Sequence, residues 1–212
     1  LNKGLILYNK ERYIEAKTIL EDIAIKYRRD PVAQQAVRTL REIAVDKAEV
    51  SAFAQWVKTQ NLNTFSDIEL EKTAFTSAEK QFLDGNTNTA EKLLKEYIET
   101  YPQGVFGNPA GFYLAEIYFE KELSIEALPF YQAIVNQQVS SYTEKSLVRI
   151  ITLLKKEGRQ AESITYLEKL DQIASFDENR RFAKLNLMQA YYASNEFEKT
   201  LETANFVLEI QK

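Results

Sequence analysis

The chain repeats a short pattern about every 37 residues, and this repeat restricts the possible fold more than any other feature. Five similar segments carry a small residue at their fourth position: "YIEAKTIL", "TNTAEKLL", "SIEALPFY", "QAESITYL" and "FEKTLETA". These small residues are Ala16, Ala90, Ala127, Ser163 and Thr200. The first interval is twice as long as the others, so it holds one more unit, centred on Phe53. A fixed period of this length is typical of tandem-repeat proteins.

Each unit has the periodicity of two amphipathic helices. In the fourth unit, positions i, i+3, i+4 and i+7 of the first helix form one apolar stripe: Gly111, Leu114, Ala115 and Tyr118. The second helix carries the small residue together with larger apolar residues, such as Ala127, Tyr131 and Ile134. A hairpin of this kind cannot bury its stripe alone, so neighbouring hairpins must stack.

The pattern predicts an all-α fold, a solenoid of about six helical hairpins that occupies the chain as a single array. The expected units are 1–31, 32–65, 66–102, 103–140, 141–175 and 176–212. The segment 61–65 is the expected break in regular stacking. Capping-box spacing predicts five helix starts, at Ser66/Glu69, Asn88/Glu91, Ser141/Glu144, Ser175/Glu178 and Asn195/Glu198. Pro31 after Asp30 marks another helix start.

The composition argues against several classes of function. The formal net charge is −4, so the chain has no net basic field for binding nucleic acid. It has no His and no Cys, which excludes Cys/His zinc sites, Ser-His-Asp and Cys-His nucleophile systems, and disulfide bonds. We therefore expect no cofactor, no metal and no enzymatic activity.

The ends and the apolar runs of the sequence give two further expectations. The first residue is Leu1 rather than Met, and no signal-like segment follows it, so we expect a piece of a longer protein. No apolar run approaches the ~20 residues needed to span a bilayer, so we expect no membrane insertion by this segment. The absence of Cys is compatible with oxidising and reducing compartments alike.

The repeat resembles the tetratricopeptide repeat (TPR). The resemblance rests on the small residue of the second helix, the Tyr/Leu stripe of the first, and a proline after the second helix, as in "ETYP" ending at Pro102. It covers all six units. The second unit departs most, with Arg41 and Phe53 where the family prefers small residues. The resemblance implies a right-handed α-α superhelix that acts as a scaffold for protein–protein interaction.

A closer resemblance concerns bacterial envelope proteins. The family's usual repeat has 34 residues, so a period of 37 implies the longer helices of cell-envelope members. The segments "TLREIAVDKAEVSAFAQWVKT" and "ETYPQGVFGNPAGFYLAEIYFE" are similar to repeat proteins that accompany the Tol-Pal system, especially in the Bacteroidetes. This resemblance implies a scaffold in the periplasm or cell envelope; the composition itself does not indicate a location.

The family's geometry turns one face of each first helix toward a concave groove that holds an extended peptide. In the fourth unit that face carries Phe112, Glu116 and Phe119, and the third unit repeats the pattern. We therefore expect a groove lined by Phe75, Glu79, Phe82, Phe112, Glu116, Phe119, Lys155, Gln189 and Tyr192. The alternative is that the rings complete the core between repeats and the charges form a solvated face.

The carboxylates on this face predict the charge of the partner. The family's best-known mode clamps a carboxylate with Asn and Lys or Arg, but the Asn positions here hold Glu42, Glu79 and Glu116. Such carboxylates would repel an acidic peptide. We therefore expect a protein or peptide partner that is neutral or basic and has apolar side chains.

Two other functions compete with the peptide groove. The apolar segment "LETANFVLEIQK" favours stacking on further repeats or on another copy, which would make the chain a structural or homo-oligomeric module. A helical module that flanks a catalytic domain is the third possibility. Glu79 and Glu116 occupy equivalent repeat positions, and nothing in their sequence environment indicates a catalytic carboxyl pair.

Overall fold

The structure is a computed structural model that describes residues 1–62 and 65–210. Regular structure in this part of the chain is entirely helical, which confirms the predicted all-α class. The α-helices are α1 (Asn2–Asn9), α2 (Tyr13–Lys26), α3 (Pro31–Asp46), α4 (Val50–Thr59), α5 (Asp67–Leu83), α6 (Thr87–Thr100), α7 (Gly107–Glu120), α8 (Ser124–Val135), α9 (Thr143–Lys156), α10 (Ile164–Ile173), α11 (Asp177–Ala193) and α12 (Phe197–Ile210). A 3-10 helix, Gln160–Ser163, precedes α10.

Odd-numbered helices are the first helices of the repeat, and even-numbered helices are the second. Contacts between Cα atoms divide the chain into an N-terminal unit, Leu1–Tyr113, and a C-terminal unit, Leu114–Lys212. The expectation of a single continuous array stays a prediction. Part of the expected break at 61–65 and the last two residues of the sixth expected repeat lie outside the described residues.

Each of the six first helices ends in the same kind of turn. The second residue after the helix has a positive φ, and these residues recur at the period of the repeat: Glu11, Ala48, Gly85, Glu122, Gly158 and Asn195. The N–H of the next residue donates to the carbonyl five positions earlier, as from Glu49 to Ala44 at 2.8 Å. This is the Schellman arrangement, which satisfies the last carbonyl groups of a helix as the chain reverses.

The predicted helix starts are confirmed at two places and wrong at four. Ser66 and Glu69 form a complete capping box at the start of α5, and Asp30 caps α3 with Pro31 as its first residue. The other four pairs do not begin helices as predicted, because α6, α9, α11 and α12 start one residue before or two residues after the expected cap. These four residue pairs have the sequence spacing of a capping box, but the first residue of each pair is not the residue that precedes the helix.

The small residue of the repeat is buried in four of the five segments, and Thr200 in the fifth is half-buried. Ala16, Ala90 and Ala127 have no exposed surface, and Ser163 is also buried. A small side chain at this point lets the second helix approach its neighbours closely, so a larger residue would push the helices apart. The periodic pattern in the sequence therefore follows the helix contacts of the interior.

The second hairpin shows what a larger residue does at this position. Phe53 is buried in α4, a helix of only ten residues, and its ring lies 6.3 Å from the Trp56 ring and 5.9 Å from the Phe65 ring. Cavities open on both sides of α4, one of about 240 Å³ against α2 and α3 and one of about 350 Å³ against α5 and α6. The departure of this unit from the repeat thus coincides with a cavity on each side of α4.

Candidate protein-interaction surface

Two of the predicted groove residues belong to the interior. The side chains of Phe75 and Phe112 are each only 6% exposed. The Phe75 ring stacks on Phe106 with centroids 4.8 Å apart and meets Tyr97 edge-on at 5.8 Å. The expectation that these rings line an open surface is wrong, because the loop before α7 carries Phe106 over α5 and closes the cluster. For these two rings, the structure favours the alternative that they complete the core.

Glu116 is also buried, and it binds side chains of its own unit. It is 4% exposed, and its carboxylate accepts hydrogen bonds from the Tyr131 hydroxyl at 2.6 Å and from Arg149 Nε at 2.8 Å. Lys145 Nζ lies 2.7 Å from its second oxygen. The prediction that Glu116 faces a ligand is therefore wrong, because α8 and α9 supply a hydroxyl and two cations that enclose it.

The protonation of Glu116 follows from these contacts. Burial alone would raise the pKa of this carboxyl, but the hydrogen bonds from Arg149, Lys145 and Tyr131 outweigh burial and lower its pKa from 4.5 to about 2. Burial and the nearby carboxylate both raise the pKa of the Tyr131 hydroxyl. Glu116 is consequently a charged, fully bonded structural group.

Glu79 and Phe82 lie on α5 in the N-terminal unit and are half-buried. The Tyr113 hydroxyl donates to Glu79 Oε1 at 2.9 Å, and the Tyr113 ring lies 4.7 Å from the Phe82 ring. Tyr113 therefore shields both predicted residues in part and occupies a hydrogen-bonding site of the carboxylate. No pattern in the sequence indicated this position of Tyr113.

The remaining predicted residues lie on the first helices of the C-terminal unit. Phe119 is half-buried, and the guanidinium carbon of Arg149 lies 4.1 Å from its ring centroid, within cation–π range. Lys155 and Gln189 are exposed, and Tyr192 is 66% exposed. We call this set the C-terminal face; it comprises Phe119, Arg149, Lys155, Asn186, Gln189 and Tyr192.

Lys155 is a cation of this face that neutral side chains, rather than a carboxylate, hold in place. Its Nζ donates to Asn186 Oδ1 at 2.9 Å and to Gln189 Oε1 at 3.2 Å. Both acceptors are neutral amides, and no ion pair with Lys155 occurs among residues 1–62 and 65–210. The structure thus brings together the predicted Lys155 and Gln189 and adds Asn186, which the sequence analysis missed. The only sequence signal for Asn186 was its position one turn before Gln189.

The face offers hydrogen-bond donors and aromatic surface. The chain lacks His and Cys, and in the described ranges no three acidic residues are grouped as they would be to hold a metal ion. None of the described helices combines the length and apolar character that a bilayer crossing requires. A face that carries a cation held by amides and the exposed ring of Tyr192 can bind carboxylates, carbonyl oxygens and apolar side chains.

Comparison with known proteins identifies the fold. No protein-family model matches the chain, and no curated protein matches it. Among solved structures, MamA (AMB-1) aligns over 86% of this chain and 93% of its own at 13% identity, with a TM-score of 0.56. A Podosopora anserina putative kinesin light chain with nearly identical TPR-like repeats aligns over 92% and 93% at 17% identity, with a TM-score of 0.51. The chain has a TPR-like fold.

At these identities the likeness establishes the fold and nothing about ligands. It confirms the predicted fold class, an all-α solenoid of TPR-like helical hairpins. The TPR-like fold also explains why polar contacts recur between consecutive first helices, as between Lys80 and Asp46 or between Lys155 and Asn186. In a stack of hairpins, consecutive first helices are neighbours.

Proposed function

We propose that this protein is a non-catalytic scaffold that binds a segment of another protein along the C-terminal face. The observation that carries the proposal is the exposed Lys155 of α9, which is held by the neutral amides of Asn186 and Gln189. Both amides lie on α11, which also carries the exposed Tyr192. Its positive charge is free of a carboxylate within the part of the chain that the structure describes. The TPR-like fold supports a role in protein interaction.

The structure changes the physical argument about the charge of the partner. The expected neutral or basic ligand depended on three carboxylates, yet Glu116 is buried against cations, and Glu79 accepts a bond from Tyr113. Glu42 pairs with Arg41 at 2.7 Å. Glu116 and Glu42 are therefore offset by cations, whereas Glu79 keeps its negative charge in the N-terminal unit. On the C-terminal face, Lys155 contributes positive charge. We propose an extended partner segment that carries acidic and apolar side chains.

Calorimetric titration with two designed peptides tests this proposal. One peptide alternates Leu with Asp, and the other alternates Leu with Lys. We expect the acidic peptide to bind more tightly, because its carboxylates can bond to Lys155. In the Lys155→Glu variant, the Kd for the acidic peptide should rise about tenfold or more, as expected for a lost charged hydrogen bond.

The Lys92→Glu variant is the matched control. Lys92 is exposed on α6, a second helix, so this change alters net charge equally without touching the C-terminal face. The control should bind the acidic peptide like the wild type. Tighter binding of the basic peptide would contradict the proposed partner and restore the original expectation. Equal losses in both variants would contradict the proposed site.

Self-association is the second candidate function, and α12 favours it. Phe197, Leu201 and Leu208 on this helix are all exposed. Apolar side chains grouped on one helix favour contact with another protein surface. Light scattering at two protein concentrations tests this function: a mass that rises with concentration supports it, and a constant monomer mass contradicts it.

The cell envelope is the proposed location. This part of the proposal rests only on the resemblance of two sequence segments to envelope repeat proteins. Fractionation of the native organism with an antibody against this protein would test it, and recovery in the cytosol alone would contradict it.

A further inference from the structure

A compact basic cluster lies at the connection between α2 and α3, in the N-terminal unit. The connecting sequence is "IKYRRDP", residues 25–31, and the side chains of Lys26, Arg28 and Arg29 are all exposed. Arg28 donates to the neutral amide oxygen of Gln60 at 3.3 Å. Within the described ranges, none of the three cations forms an ion pair with a carboxylate. The cluster is therefore positively charged although the chain as a whole is acidic.

The one carboxylate of this connection is already engaged. Asp30 Oδ1 accepts a hydrogen bond from the backbone N–H of Val32 at 2.8 Å, which caps α3. The connection surrounds a shallow, open depression of about 490 Å³ that is lined by residues 25–31. A depression of this size, bordered by three cations, can accept a phosphate group and its ester substituents.

Apolar side chains accompany the cations. Ile25 and Tyr27 are exposed within the cluster itself. Ile68 at the start of α5 and Val105 before α7 are also exposed. Consecutive helices joined by short connections run antiparallel, so the α2–α3, α4–α5 and α6–α7 connections of this unit lie at one end of the helices. Both exposed residues therefore belong to the same end as the cluster.

We infer that this end of the N-terminal unit binds the surface of a membrane that contains anionic phospholipids. Lys26, Arg28 and Arg29 contact headgroup phosphates, while Tyr27 and Ile25 enter the boundary between headgroups and acyl chains. A basic cluster beside an amphipathic aromatic ring is suited to this environment. A nucleic acid would match the cations but would leave Ile25, Ile68 and Val105 in water.

Vesicle co-sedimentation of the whole chain tests the inference. The vesicles contain phosphatidylcholine alone or phosphatidylcholine with phosphatidylserine. We expect binding to the anionic vesicles, with weaker binding as the salt concentration rises. Each cation near an anionic surface contributes about a fivefold factor to the affinity. The affinity of the double variant Arg28→Glu/Arg29→Glu for anionic vesicles should therefore be lower by a factor of at least about 30.

A second double variant, Lys10→Glu/Lys92→Glu, controls for net charge. Lys10 follows α1 at the opposite end of the hairpin, and Lys92 lies on α6; both are exposed. This control should bind anionic vesicles no more than a few-fold more weakly than the wild type, through its net charge alone. Circular dichroism checks that both double variants keep their helical content.

Separate variants and soluble competitors distinguish the source of the phosphate. Tyr27→Ser should weaken vesicle binding without changing net charge, because it removes the ring that enters the membrane. Glycerol phosphate or a short single-stranded oligonucleotide should not displace the protein from the vesicles. Equal binding to neutral vesicles, equal losses in both double variants, or displacement by either competitor would overturn the inference.

Discussion

At the scale of single residues, Glu116 shows how a carboxylate on an apparent ligand-binding face can serve the fold instead. The sequence placed it one turn from two phenylalanines, on a face next to the apolar stripe. The structure surrounds it with Tyr131, Arg149 and Lys145, which lie 15 to 33 positions further along the chain. A helical period shows which residues share a face, but it does not show what a later helix places against that face.

Glu116→Gln should destabilise the protein by about 2–3 kcal/mol. Breaking one partner of a buried charge pair typically costs about 3–5 kcal/mol. The cost here is lower because Lys145 and part of Arg149 reach solvent and keep some hydration. Urea unfolding of the wild type and the variant measures this difference. The control is Glu122→Gln, which alters an exposed ion pair with Lys156 and should cost well under 1 kcal/mol.

The lowered pKa of Glu116 predicts that the stability difference between the wild type and Glu116→Gln depends on pH. The pKa of Glu116 is lowered in the folded protein, so its charged form stabilises the fold above its ordinary pKa of 4.5. That contribution is lost as the pH falls from about 4.5 towards 2. The difference in Tm between wild type and Glu116→Gln should therefore be constant near neutral pH and should shrink in this acidic range. A difference that grows on acidification would contradict the assigned contacts.

The candidate site shows the limits of prediction at this scale. Lys155, Gln189 and Tyr192 are exposed as expected, because they lie outside the buried apolar stripes of α9 and α11. Phe75 was placed wrongly because Phe106, in an irregular loop, covers it. Loop conformation has no period in the sequence, so the burial of that ring could not be read from helical spacing.

At the scale of helices and turns, the six Schellman turns are the most regular feature that the sequence did not reveal. Only Gly85 and Gly158 have the residue type expected at a positive φ. The equivalent positions elsewhere hold Glu, Ala or Asn, so the residue types at these positions do not predict the backbone conformation that all six turns share. The periodic small residues were visible because burial restricts their size, whereas an exposed turn accepts a moderate backbone strain.

Two opposite substitutions test this strain. Ala48 has a φ of 58°, so Ala48→Gly should stabilise the protein by about 1 kcal/mol through relief of the left-handed conformation. Gly85 has a φ of 76° and nothing within 4 Å of an added Cβ atom, so Gly85→Ala should destabilise it by about 1 kcal/mol through backbone strain alone. Thermal unfolding by calorimetry measures both. Changes of the same sign in the two variants would contradict the shared turn geometry.

At the scale of the whole molecule, α12 differs from the other helices because the described part of it buries no hydrophobic side chain. The buried hydrophobic side chains of the described residues extend from Leu7 in α1 to Tyr191 in α11. Tandem repeats are stabilised by contacts between neighbours, so this distribution predicts unequal local stability along the chain.

Native-state hydrogen exchange, read by mass spectrometry, should show this inequality. We expect the slowest backbone amides in α6, α8 and α9, where large side chains are fully buried. The fastest helical amides should lie in α12, where Phe197 and Leu201 are exposed. Protection of α12 equal to that of α9 would show that another contact covers it, and it would support self-association.

The overall architecture was predictable because it depends on a repeated size restriction. Ala16, Ala90 and Ala127 are buried where helices meet, so the period of the sequence directly follows the period of the fold. The charge of the proposed partner was less predictable, because it depends on which carboxylates of this protein lie beside cations. The contacts in the structure show that Glu116 is paired with cations and that neutral amides, rather than a carboxylate, hold Lys155.

The cavity between α2 and α4 has a practical consequence. Trp56 lines it and is the only tryptophan of the chain. Intrinsic fluorescence excited at the indole band therefore reports on the second hairpin alone. A compound that enters this cavity would shift or quench that emission without any attached dye, so small-molecule probes of the second hairpin can be screened on the unlabelled protein.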